Sequence, residues 1–211
     1  SAYFFDTWGE ENTNAVIDII LKRLKLGDIR SIVVASCTGK TAIKVAETLQ
    51  KSKIKANLIC VTGPQEYWRR TYPENPLLGE LERDKLENLG VKIIDDAMEP
   101  LQESLLFRNW WVKKSIKMRG EYADLFWMTL ICVGGHGFRT AIEVVFTAVE
   151  VGLVKEGEKV LSIAGTGTGA DSAIVMKASK FKDAVGIDPE KRLKVYEVLA
   201  MPKETKWVGY G

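Results

Sequence analysis

At 211 residues with 46% hydrophobic side chains, the chain is long enough to bury a core without disulfides or metals, and one domain is the expectation. Its 30 Lys plus Arg against 28 Asp plus Glu leave a net charge of +2, which gives no reason to expect a polyanion, so neither nucleic acid nor an acidic membrane is the expected partner. Cys37, Cys60 and Cys132 are widely spaced, form no CxxC pair and lie in or beside apolar runs that read as buried. The longest apolar stretches fall short of the ~20 residues that cross a bilayer, and no signal core is visible, so the expected setting is cytoplasmic.

Asn12 or Thr13 can cap a first helix, in which Val16, Ile17, Ile20, Leu21 and Leu24 recur at helical spacing before Gly27 stops it. Ile32 to Ala35 are apolar without alternation, as a strand covered on both faces should be. From Lys40 the pattern Ala42, Ile43, Ala46, Leu49 is helical again. A second buried strand follows at Leu58 to Val61, then a helix from about Leu81 to Leu89 ending at Gly90, then a short strand at Val91 to Ile94. This βαβαβ rhythm predicts parallel strands with right-handed crossovers. Residues 97–134 read as an insertion-like segment rich in Trp, Arg and Lys, helical in pieces and packed across one sheet edge. The rhythm resumes with a helix from about Phe138 to Val151, where Ala141, Ile142, Val145 and Val149 share a face, and a strand at Val160 to Ala164. Asp171 to Pro202 can be helices or further strands, because short apolar runs do not distinguish the two. The expected fold is a single three-layer α/β/α domain with a mainly parallel sheet of about five strands.

Ser36, Cys37, Thr38, Gly39, Lys40 and Thr41 stand between a buried strand and a helix start, where backbone N–H groups and the helix dipole favour an anion and three hydroxyls add donors. A Walker A loop requires glycine where Val34 stands, so Gly39, Lys40, Thr41 is only the tail of that motif. The plain alternative is a turn with Thr38 capping the helix and no ligand. The strand and loop at Val33 to Thr41 resemble the C-terminal, effector-binding domain of pyruvate kinase, where such a Ser/Thr-Gly loop grips an effector phosphate. The likeness resumes from Phe146 to Ser179, through the turn at Lys155 to Glu158, the strand at Lys159 to Ala164 and the glycine loop at Gly165 to Ala170. It is closer still to archaeal stand-alone proteins of that superfamily, through Asn12, Thr13, Val33 to Ala42 and Gly165 to Asp171. The resemblance implies a pyruvate-kinase-C-like fold without the catalytic barrel, hence no phosphotransfer from phosphoenolpyruvate. It further implies flavin mononucleotide as cofactor, with its phosphate at Ser36 to Thr41 and its ring toward the glycine loops. Thr62, Gly63 and Pro64 stand where those relatives tend to carry paired histidines, so chemistry by such histidines is not carried over.

Gly165, Gly167 and Ala170 also fit the G-x-G-x-x-A spacing, with Asp188 23 residues beyond Gly165, so a dinucleotide or S-adenosylmethionine enzyme is the rival reading. Only 23 residues follow Asp188, too few for the strands such a fold adds. Asp171 can accept from a ribityl or ribose hydroxyl or cap a local turn. His136, the single histidine, lies among Gly134, Gly135 and Gly137 before a helix, where a lowered pKa and contact with a ligand, even catalysis, are expected alternatives to an exposed loop residue. Arg139 can assist a phosphate or pair with Glu143 one turn on. The expected ligand-binding set is therefore Ser36 to Thr41, Gly135, His136, Gly137, Gly165, Thr166, Gly167, Thr168, Gly169 and Asp171.

Pro64 to Pro76, with Tyr67, Trp68, Arg69, Arg70 and Tyr72, reads as a loop that either covers a planar ligand or meets another subunit. The cluster Arg108, Trp110, Trp111, Lys113, Lys114, Lys117 and Arg119 reads as a solvated helix face or an oligomer surface, making a homo-oligomer an open expectation. Cys37 is either a thiol activated by the helix start or a small buried filler. A lone histidine without cysteine partners argues against a transition-metal site.

Overall fold

The computed structural model describes residues 2–95 and 116–204, with the side chains of 66, 67 and 116–125 excepted. The basic aromatic residues Arg108 to Lys114 and the first half of the insertion-like segment, 97–115, lie outside the described residues. So do the side chains of Tyr67, Lys117 and Arg119.

Seven strands form one sheet in the order β1-β7-β6-β5-β2-β3-β4. Strand β2 (Ser31–Ala35) pairs in parallel with β3 (Asn57–Val61) on one side and β5 (Lys159–Ala164) on the other, and β3 pairs in parallel with β4 (Lys92–Ile94). This is the expected parallel half, and it is continuous with an antiparallel one. Strand β6 (Ser172–Lys177) runs antiparallel to both β5 and β7 (Lys194–Pro202), and the three-residue β1 (Tyr3–Phe5) adds in parallel to β7. The expectation of a mainly parallel sheet of about five strands is thus corrected to a mixed sheet of seven. The reason is burial. All six residues of β6 are buried, so the run carries no alternation to mark it as strand, and β1 is too short to show a pattern.

Helices cover both faces. Ile32, Val34, Cys60, Leu161 and Ile163 pack with α1 (Thr13–Leu24), α2 (Lys40–Lys51) and α4 (Glu80–Asn88). Val33, Ile59, Val61 and Val160 pack on the other face with Ile142, Val145, Phe146 and Val149 of α5 (Ile116–Glu150). The period-2 division of β2 between the two clusters is what sets a sheet between two helical layers. Ser162 faces the α5 layer, and its hydroxyl donates to the Ala141 carbonyl at 2.6 Å.

Three local expectations change. The stretch read as a loop from Pro64 carries a short helix, α3 (Gln65–Thr71). The helix expected from Phe138 is the second part of α5, which is broken at Gly135 with φ 81° and ψ 179°. Immediately before that break, a Cβ on Gly134 would lie 2.4 Å from the Phe138 ring, so one glycine makes the kink and the other leaves room for Phe138. Cys132, expected in a buried run, is exposed, whereas Cys60 is buried. Among the described residues no helix is long and apolar enough to cross a membrane.

Candidate functional site

The chain leaves β2 at the carboxyl end of a parallel strand, where open α/β sheets place ligands. Ser36 N–H donates to the Val61 carbonyl at 2.9 Å, holding the loop to the next strand. The turn into α2 is made by Gly39 at φ 78°, in a left-handed conformation that a side chain rarely adopts; a Cβ there would lie 2.5 Å from Leu78 Cδ1. Ser36 Oγ accepts from Ala42 N–H and Thr38 Oγ1 accepts from Lys40 N–H, both at 3.4 Å. These are long bonds, and as acceptors the hydroxyls keep their own protons for donation. Cys37 is held by backbone instead. Its carbonyl accepts from Leu78 N–H at 2.8 Å and its sulfur from Gly63 N–H at 3.1 Å. Burial pushes the Cys37 thiol up to about 11, which decides for the filler reading over an activated nucleophile.

The second glycine loop follows β5, the strand beside β2. Asp171 closes it. Its N–H donates to the Ala164 carbonyl at 3.1 Å, and its fully buried carboxylate accepts from Gly9 N–H at 2.8 Å, Thr166 N–H at 2.9 Å and Ser172 Oγ at 2.8 Å. Ala170 N–H donates to Thr13 Oγ1 at 2.9 Å. Gly165 is required because a Cβ there would lie 2.5 Å from the Gly169 carbonyl oxygen, and Gly169 because one would lie 2.4 Å from Glu10 Cα at φ 74°. The loop leads directly into β6, antiparallel to β5. No helix N-terminus stands behind it to receive a pyrophosphate, and Asp188 is exposed on the segment before β7. Both features run against the dinucleotide arrangement.

The break in α5 supplies a third wall. Gly137 packs on the closing residues of the second loop, where a Cβ would meet Asp171 Oδ1 at 2.3 Å. His136 is half-buried beside it. Burial first, then the Arg139 charge, lower its pKa, with Asp171 acting the other way; the imidazole is therefore biased toward its neutral form. Arg139 grips Glu143 end-on, through Nη1 to Oε2 at 2.9 Å and Nη2 to Oε1 at 3.0 Å, and lies 4.9 Å from the Trp127 ring centroid. Glu143 is buried, which raises its pKa, while Arg139 pulls it back.

These three segments enclose a cavity of about 460 Å³, within the usual range for small-molecule sites. Of the expected binding residues, Ser36, Cys37, Thr38, Thr41, His136 and Gly165 to Gly169 line it. Gly39, Lys40, Gly135, Gly137 and Asp171 stand outside the wall and shape it: Gly39 turns the first loop, Gly135 and Gly137 turn and seat the helix, Asp171 braces the second loop, and Lys40 is exposed. Trp68 of α3 and Tyr72, just past its end, line the cavity with ring centroids 4.6 Å apart, whereas Arg69 and Arg70 are exposed. Trp68 Nε1 donates to the Asn75 carbonyl at 2.8 Å, tying α3 to the segment that follows it.

Ile131, Thr140, Glu143 and Val144 also line the cavity, outside the expected set. Glu143 carried a signal: it is the one acid inside the apolar run Ala141 to Val145, where a carboxylate needs a partner or a ligand. Among the described residues no group of three or more His, Cys, Asp or Glu side chains is placed to hold a metal ion. No family model matches the sequence.

Proposed function

We propose that the chain binds a phosphorylated small molecule in this cavity, flavin mononucleotide first among the candidates, with the phosphate against Ser36, Thr38 and Thr41. The observation that carries the reading is the convergence of a strand-loop-helix anion site and a second glycine loop on one cavity of about 460 Å³. Hydroxyl donors at the start of α2 suit a phosphate, and the apolar and aromatic surfaces of Trp68, Tyr72, Ile131 and Val144 suit a planar body. Flavin is favoured by the likeness to the stand-alone pyruvate-kinase-C-like proteins, and that fold assignment belongs to the same proposal. Phosphoenolpyruvate phosphotransfer forms no part of it.

Two roles fit such a site: a sensor that only binds, and a flavin-dependent redox protein in which neutral His136 exchanges a proton with the ligand. Titration of the purified protein with flavin mononucleotide and with riboflavin, followed by absorption and fluorescence, tests the binding. The expected result is binding that needs the phosphate and weakens at least about tenfold in Thr38→Ala/Thr41→Ala. S-adenosylmethionine binding that survives this double substitution would overturn the reading in favour of an enzyme using Gly165 to Ala170.

A further inference from the structure

We propose that Arg139 and Thr166 form a second recognition point in the cavity, selective for an uncharged carbonyl acceptor at the end of the ligand away from its phosphate. This rests on the phosphate-ligand reading in one respect, that a single molecule reaches from the first loop to the opposing wall.

A guanidinium has two donor edges. Glu143 occupies the Nη1/Nη2 edge of Arg139 at 2.9 and 3.0 Å, and Trp127 lies against the group at 4.9 Å. The Nε–H remains. It is buried and has no hydrogen-bond partner, in a residue that lines the cavity. Thr166 repeats the situation from the second glycine loop. Its N–H is committed to Asp171, the residue is 1% exposed, and its Oγ1 is buried without a partner while the residue lines the same cavity. Buried polar atoms without partners are rare because each forfeits its hydration, so two in residues that line one cavity mark where a ligand's polar group belongs.

The charge balance selects the kind of group. The Arg139 cation is already offset by the Glu143 carboxylate, and Glu143 lines the cavity itself, so a second anion would meet a like charge in a poorly hydrated place. An uncharged carbonyl does not. It accepts from Nε–H and from the threonine hydroxyl without disturbing the ion pair. A planar heterocycle bearing carbonyls satisfies both this point and the aromatic wall.

The test uses three probes on the full chain: flavin mononucleotide, ribitol 5-phosphate, which lacks the ring, and lumiflavin, which lacks the chain and phosphate. Arg139→Lys keeps a cation for Glu143 but removes the Nε–H, and Thr166→Val keeps the shape but removes the hydroxyl. Each substitution is expected to weaken flavin mononucleotide and lumiflavin by about tenfold and to leave ribitol 5-phosphate within about twofold. Unchanged ring binding in both variants, or an equal loss for ribitol 5-phosphate, would overturn the proposal and leave the phosphate reading standing. Lumiflavin binding that depends on Arg139, together with indifference of flavin mononucleotide to Thr38→Ala/Thr41→Ala, would remove the phosphate reading alone. Failure of all three probes to bind the wild type overturns both.

Discussion

The two loops both combine glycine with threonine and lie at the ends of adjacent strands, yet they are held in opposite ways. The loop after β2 opens into a helix, and its Ser36 and Thr38 hydroxyls make only 3.4 Å contacts with the backbone. The loop after β5 opens into an antiparallel strand and is braced from within by Asp171 and from outside by Gly9 and Thr13. The element that follows a loop decides which of its groups remain for a ligand. A helix leaves donors free at its first turn, whereas a returning strand needs its turn fixed by side chains, and here the Thr166 hydroxyl is buried without a partner.

The sharpest way to break this contrast is to remove the brace. Asp171→Ala leaves the N–H groups of Gly9 and Thr166 and the Ser172 hydroxyl without their buried acceptor, and should lower stability by about 3–5 kcal/mol in chemical denaturation. Thr38→Ala in the first loop should cost less than about 1 kcal/mol in the same assay. Comparable losses at the two positions would contradict the division between a braced and an open loop.

A finer test compares glycines at nearly the same dihedral. At Gly169 a methyl group meets the Glu10 backbone at 2.4 Å, so Gly169→Ala should destabilise by about 2–4 kcal/mol. At Gly39 the obstacle is the flexible end of Leu78 at 2.5 Å, and Gly39→Ala should cost about half as much, measured by thermal melting. A larger loss at Gly39 would mean that the first loop is the more rigid of the two.

The smallest expected effect belongs to His136, on the wall between the loops. Its folded pKa lies below the ordinary 6.5 because of burial and Arg139, with Asp171 opposing. The unfolded chain therefore takes up the proton first. The stability associated with neutral His136 is complete above about pH 6.5 and declines as the pH falls through that value toward the folded one. Denaturation midpoints measured between pH 7.5 and 5 should fall less steeply for His136→Gln than for the wild type. An unchanged slope would place the imidazole in solvent.

The helix and strand at β2-α2, the stops at Gly27, Gly90 and Gly152, and the position of the first loop follow from the sequence alone, because periodicity and left-handed turns are properties of consecutive residues; the three glycines have φ of 73°, 75° and 82°. That the Ser/Thr-Gly loop, the His136 turn and the second glycine loop share one site was expected through the resemblance to known proteins, since no local spacing joins segments so far apart in the chain. That Asp171 caps its own loop was one of two readings the sequence left open; that it also holds a distant backbone group was not legible. Its partner Gly9 is 162 residues away, and nothing in the local sequence distinguishes a carboxylate that meets a ligand from one that meets a distant backbone. Strands β6 and β7 were left open between helix and strand, β6 because a run buried on both faces has no alternation to read and β7 because Val195 to Leu199 is too short for periodicity to decide. Tertiary structure decided these points because burial and long-range hydrogen bonds, rather than local preference, determine what such residues become.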